Sequence, residues 1–199
     1  GYVHRSIVLY PTNGQSCLTT SPEIEEDELS FCIKRNKKMD VELIVSFLRE
    51  CSLIKNCVLH IIGDWKKKES FIQEVLNVGV NVVDHKDLTN QGQIQDVFDQ
   101  CNYGLNVLKY DGINSEALDY MCGQISIINS VQGDLKHYCE LWDSGKNIDI
   151  QNYKSVARIV CNENKTVQLK RRENIRNLYD TYFTEEKFFE TLDKSGGTL

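Results

Sequence analysis

Proline is almost absent, with 2 in 199 residues, and glycine numbers only 12, so a collagen-like or low-complexity disordered chain is excluded. No apolar run approaches the ~18 residues that a membrane-spanning helix requires. Nor is positive charge in excess: 23 Lys and Arg against 29 Asp and Glu leave −6, which disfavours a general nucleic-acid binder. The glycine fingerprints of nucleotide sites are missing too. No GxGxxG follows the first strand and no GxxxxGK[ST] occurs anywhere, which removes the usual dinucleotide and P-loop readings. The amino terminus lacks the basic-then-apolar pattern of a signal peptide, and it opens on Gly1, as a piece trimmed from a longer protein would.

Cysteine, at 8 residues, is not scarce. Yet Cys17, Cys32, Cys51, Cys57, Cys101, Cys122, Cys139 and Cys161 form no CxxC pair, and none stands at zinc-ligand spacing with a histidine. Several fall inside apolar runs, where a free thiol behaves as a small hydrophobe, so reduced and mostly buried cysteines in a cytoplasmic protein are expected. His4, His60, His85 and His137 show no pairing that suggests metal ligation. His60, in mid-strand, reads as a core residue, and His85 as an ordinary residue past a strand end. No metal is expected.

What the chain does contain is alternation. Its length suits one domain, and short runs rich in β-branched residues alternate with segments of helical period. Strands are expected at Ser6–Tyr10, Leu29–Ile33, Cys57–Gly63, Val78–Val83, Tyr103–Leu108 and Ile125–Asn129. Helices are expected at Asp40–Cys51, Glu69–Leu76, Gln93–Cys101, Ser115–Met121 and Gly133–Trp142, then from Tyr153 to Leu192 with a break near Phe183 and Thr184. The strands are apolar almost throughout, as central parallel strands covered on both faces must be. Right-handed strand–helix–strand crossovers then give an α/β fold, a single Rossmann-like parallel sheet with flanking helices and a helical C-terminal tail. Residues 1–28 read as an N-terminal segment and linker, a remnant of a preceding domain; 29–194 as the α/β domain; and 195–199 as a tail.

Such a sheet binds ligands outside the carboxyl ends of its strands, beside helix N-termini. After the strand at Leu29–Ile33 comes Lys34-Arg35-Asn36-Lys37-Lys38, where four cations before a helix could cradle a phosphate or stand as a solvated turn. At the next strand end, Trp65-Lys66-Lys67-Lys68 reads as the start of a solvated surface helix. The stretch Lys109 to Tyr120 is the most informative. A strand ends near Leu108, a turn follows at Gly112, and a helix starts at Asn114 or Ser115, both good N-caps. Asp111 falls in the loop and Asp119 about one turn inside the helix, so both carboxylates can face the crevice. A carboxylate there can accept two hydrogen bonds from a vicinal diol, while the helix-start N–H groups receive a phosphate. An Asp in a first turn can also simply stabilise the helix dipole.

Tyr103-Gly104-Leu105-Asn106-Val107-Leu108-Lys109, then Asp119-Tyr120-Met121-Cys122, then Ile127-Ile128-Asn129-Ser130 and Gly133-Asp134 resemble bacterial family-4 (group 1) glycosyltransferases of the capsular and exopolysaccharide type. The resemblance runs from about Ser30 to Leu192. It implies the C-terminal, donor-binding half of a GT-B fold, and a retaining transfer from a nucleotide sugar without metal or other cofactor. It further implies Asp111 and Asp119 at the two positions of the family's paired glutamates, a sugar-binding one and, after seven intervening residues, a ribose-binding one. Glu116 is near enough to stand in for either. Gly112, Ile113, Asn114, Ser115 and Glu116 would join Asp111 at the donor sugar, and Arg35, Lys37 and Lys38 would hold the diphosphate. Gln124-Ile125-Ser126 stands where the family has Gly-Leu-Pro. The implied partners are a nucleotide-sugar donor and, through a missing N-terminal domain, a glycan or lipid-linked acceptor, with no nucleic acid and no transmembrane segment. The full-length protein would be cytoplasmic and peripheral at the inner face of the membrane, and this fragment alone inactive. The alternatives are a non-catalytic GT-B-like partner-binding or structural module and a flavodoxin-like receiver. The receiver lacks the acidic cluster its chemistry needs, since Lys34 and Arg35 stand there.

Overall fold

A computed structural model describes residues 10, 12, 18, 20, 22–86, 88–109 and 112–194. Six strands form one parallel sheet: β1 (Glu28–Lys34), β2 (Asn56–Ile62), β3 (Asn81–Asp84), β4 (Tyr103–Asn106), β5 (Ser126–Asn129) and β6 (Gly145–Asn147). Their order is β3-β2-β1-β4-β5-β6, the doubly wound arrangement. Connecting helices are α1 (Val41–Ser52), α2 (Lys68–Asn77), α3 (Gln91–Asp99), α4 (Ser115–Cys122), α5 (Asp134–Leu141) and α6 (Tyr153–Asn162). Two further helices, α7 (Lys165–Tyr182) and α8 (Glu185–Lys194), complete the chain and give the expected helical tail.

The two faces of the sheet carry separate cores. One is built with α1, α2 and α6, the other with α3, α4, α5 and α7. In α1 the spacing predicted from sequence buries Ile44, Phe47, Leu48 and Cys51, and the Asp40 carboxylate caps the helix by accepting from the Leu43 N–H at 3.3 Å. The described cysteines are free and buried, as expected; Cys17 lies outside the described residues. Burial pushes the Cys57 and Cys139 thiols up to about 12, so both stay protonated at neutral pH. No helix among the described residues is long and apolar enough to cross a membrane.

Four readings need correction. Gly145-Lys146-Asn147 forms β6, where no strand was expected. The C-terminal helical region breaks not only at Phe183 but also at Glu163, where Asn164 caps α7 by accepting from the Val167 N–H at 3.0 Å. Lys68 is not part of a solvated face: it is buried, paired with Asp84 at 3.0 Å and Asp64 at 3.4 Å. His85, read as an ordinary residue past a strand end, pairs with His60, whose Nδ1 lies 3.0 Å from His85 Nε2. Of the strand expected at Ser6–Tyr10, all but Tyr10 falls outside the described residues. Within the acidic run before β1, Ile24 is buried and the Glu23 N–H donates to the Asp99 carbonyl at 2.8 Å.

Candidate functional site

The crevice of a doubly wound sheet lies where successive connections leave in opposite directions, here between β1 and β4. The loops beyond these two strands are zipped to each other. Met39 and Leu108 form an antiparallel bridge, the Asp40 N–H donates to the Val107 carbonyl at 3.0 Å, and the Lys109 N–H donates to the Lys38 carbonyl at 2.8 Å. Residues 38–40 and 107–109 are therefore joined along the rim.

Beneath them, Gly104 in β4 makes room for a ring. A Cβ at this position would stand 2.7 Å from the Tyr120 side chain, so only glycine lets α4 sit this close. The Tyr120 hydroxyl then reaches β1 and accepts from the Lys34 N–H at 2.9 Å. One turn-step away, the Asp119 carboxylate forms an ion pair with the Lys34 ammonium. Sequence reasoning aimed Asp119 at the crevice but left Lys34 out of its site. These two residues share a cavity of about 160 Å³ with Thr89, Gln91, Ile94 and Phe98, between α3 and α4.

A polar ladder holds the N-terminus of α4. Asn106, Asn129 and Asn147 stand side by side at the carboxyl ends of β4, β5 and β6. Asn106 donates to Asn129 at 3.1 Å, and Asn129 donates to Asn147 at 2.9 Å. At the other end, the N-cap residue Asn114 donates to Asn106 at 2.9 Å and to the Glu116 carboxylate at 2.8 Å. Ser130 clasps the same loop: its hydroxyl accepts from the Leu108 N–H at 2.9 Å and donates to the Leu108 carbonyl at 3.1 Å. The Asn114 side-chain oxygen is buried and has no hydrogen-bond partner among the described residues. Sequence reasoning missed the ladder, whose visible trace is one asparagine at each strand end.

The other candidates are distributed as follows. Gly112 takes the left-handed region at φ 102°, and Ile113, Asn114, Ser115 and Glu116 carry the chain from that turn into α4. The first N–H groups of α4 have no carbonyl to meet within the helix, as at any helix start. Asp111 lies outside the described residues. Arg35 and Lys37 line a larger groove on the α2 side, away from Asp119, and Lys38 is exposed on the turn between them and α1. Among the described residues no group of three His, Cys, Asp or Glu could hold a metal ion. The arrangement offers cations, helix-start N–H groups and carboxylates, a set suited to binding a phosphorylated, hydroxyl-bearing molecule.

No protein-family model matches the chain, and no curated protein matches it by sequence. Solved structures do match in fold. A TarM mutant from S. aureus, in complex with Fondaparinux, alpha-GlcNAc-glycerol and UDP, superposes with a TM-score of 0.75 at 13% identity, over 94% of this chain and 38% of that one. WaaG, a glycosyltransferase involved in lipopolysaccharide biosynthesis, gives 0.67 at 16% identity over 87% and 49%. HepE from Anabaena, in complex with UDP and glucose, gives 0.68 at 11% identity, again over 87% and 49%. The fold is that of the C-terminal half of a GT-B glycosyltransferase, and this chain spans half or less of each of these relatives.

Proposed function

We propose that this chain is the nucleotide-sugar-binding half of a retaining, family-4-type glycosyltransferase acting in polysaccharide assembly. The observation that carries the reading is the crevice itself: the basic loop beyond β1 and the loop that leads from β4 into α4 join at the topological switch point through the Met39–Leu108 bridge. UDP in the TarM and HepE complexes gives it support by likeness of fold. Arg35, Lys37 and Lys38 are assigned to the diphosphate, whose leaving charge they stabilise without a metal. Asp111 and residues 112–116 are assigned to the donor sugar, and Asp119 to the ribose. The acceptor is a glycan or lipid-linked saccharide held by a preceding domain, and the whole protein works at the inner face of the membrane. Holding donor and acceptor ~3–3.5 Å apart supplies roughly 7–11 kcal/mol of the barrier reduction, so this chain alone transfers no sugar.

Calorimetric titration with uridine and guanosine diphosphates tests the reading. One of them should bind with a micromolar-to-millimolar constant, about −8 to −4 kcal/mol. Replacing Asp119 with Ala should weaken that binding by about 1.5–3 kcal/mol while the chain stays folded. A second reading, a non-catalytic module of the same fold, draws on the Lys34–Asp119 ion pair, which already occupies the carboxylate a diol would take. Failure of both nucleotides to bind would overturn the first reading and favour the second.

A further inference from the structure

On the helical layer opposite Asp119, a groove of about 550 Å³ runs between the β1–α1 loop, the β2–α2 loop and α2. Its volume falls within the ~300–1,000 Å³ of small-ligand sites. The walls carry Arg35, Lys37, Lys66 and Lys67 against one carboxylate, Glu74. None of the four cations has an ion-pair partner among the described residues, whereas their sequence neighbours Lys34 and Lys68 are both neutralised by aspartates. In a chain of net charge −6, the unneutralised positive charge of this rim is thus gathered in one groove.

The floor is apolar, formed by Met39, Val41 and Phe71. Trp65 leans on Phe71 with ring centroids 6.0 Å apart and is half-buried, so part of its indole faces the groove. The lysines are delivered by a strained turn. Lys67 holds φ 74° and ψ 16°, a left-handed conformation uncommon for a long side chain, immediately before α2.

We propose that this groove binds an acidic saccharide, a short sugar chain bearing sulfate, phosphate or carboxylate groups. The cations meet at least two anionic groups, and the indole with its apolar floor meets the C–H face of a sugar ring. A nucleic acid fits the observations less well, because a chain of net charge −6 as a whole repels a long polyanion. The groove shares Arg35 and Lys37 with the diphosphate assignment above, but Trp65, Lys66 and Lys67 belong to no part of that reading, so changes at these three residues separate the two.

The experiment follows Trp65 fluorescence in a Trp142→Phe background, since these are the 2 tryptophans of the chain. The titrants are a sulfated heparin hexasaccharide, neutral maltohexaose and inorganic tripolyphosphate, all in about 150 mM salt. The sulfated hexasaccharide should bind at least about tenfold more tightly than either control. A Lys66→Gln/Lys67→Gln double variant should lose about tenfold of that affinity, with uridine diphosphate affinity unchanged. Trp65→Ala should weaken the saccharide and leave tripolyphosphate as it was. Equal affinity for tripolyphosphate, no response to the hexasaccharide, or indifference to the lysine changes would each overturn the proposal.

Discussion

The His60–His85 contact is a stability device with a pH signature. Burial, reinforced by the neighbouring His85, lowers His60 to about 4, and burial lowers His85 as well against the pull of Asp84. The two nearly parallel rings, 14° apart, are therefore a neutral pair at neutral pH, one N–H facing one lone pair. The unfolded chain titrates near 6.5, so between 6.5 and about 4 it binds a proton that the folded chain refuses. Stability should fall as pH falls through that window, by about 2–3 kcal/mol from His60 alone. Urea unfolding at neutral pH and at about pH 4.5 checks it, with His60→Gln expected to flatten the dependence. Neither histidine announces its partner in the sequence, because 24 residues and a crossover separate them. Asp119, by contrast, was legible: a carboxylate one turn into a helix that follows a strand end can only lie near the crevice.

Elements were legible where their own residues built them. The strands β1, β2, β4 and β5 are apolar runs, and their helices bury regular stripes. The short β6 was not, because nothing in Gly-Lys-Asn prefers a strand. It is made by its neighbour: a Cβ at Gly145 would stand 2.2 Å from the Ile127 carbonyl oxygen, so pairing with β5 depends on glycine. Gly145→Ala should cost about 1–3 kcal/mol in urea unfolding through this overpacking. The long α7 shows a second case of an element held from outside. Arg172 is buried on it and donates to the Phe98 and Cys101 carbonyls at the end of α3, with Asp99 at 3.7 Å. Burial lowers its guanidinium to about 10, still charged at neutral pH, and a cation there complements the helix dipole. Arg172→Met should destabilise by about 3 kcal/mol, by removing two buried charge-assisted hydrogen bonds, and amide exchange should quicken in the last turn of α3.

At the scale of the whole molecule, a doubly wound parallel sheet was implied by strand–helix alternation and the handedness of crossovers, while its order β3-β2-β1-β4-β5-β6, with β6 at the edge, came from the structure. That topology alone located the crevice. Which cations would face which carboxylates was not legible, because it depends on the side of the sheet each loop residue takes after the strand ends: Lys34 turned toward α4, Arg35 and Lys37 toward α2. A ligand that bridges loops beyond β1 and β4 stabilises the whole sheet by mass action. Uridine diphosphate at ten times its dissociation constant should add about 1.4 kcal/mol and raise Tm by roughly 3–6 °C. Differential scanning calorimetry reads this directly, and an unchanged Tm would count against binding.

The asparagine ladder has a sense of direction. Each amide gives its N–H₂ to the next oxygen, from Asn114 to Asn106 to Asn129 to Asn147, and Asn147 passes it on to the Lys136 carbonyl at 3.0 Å. All the carbonyl ends thus point back toward α4, and the amides polarise one another in series. The last oxygen in the row, on Asn114, is the one left without a partner. One flipped amide would set two acceptors face to face, so the row keeps its polarity only as a set. Deamidation of any member would do the same damage permanently. The far edge of the sheet is in this way wired to the N-terminus of α4, where the row ends in a single buried acceptor.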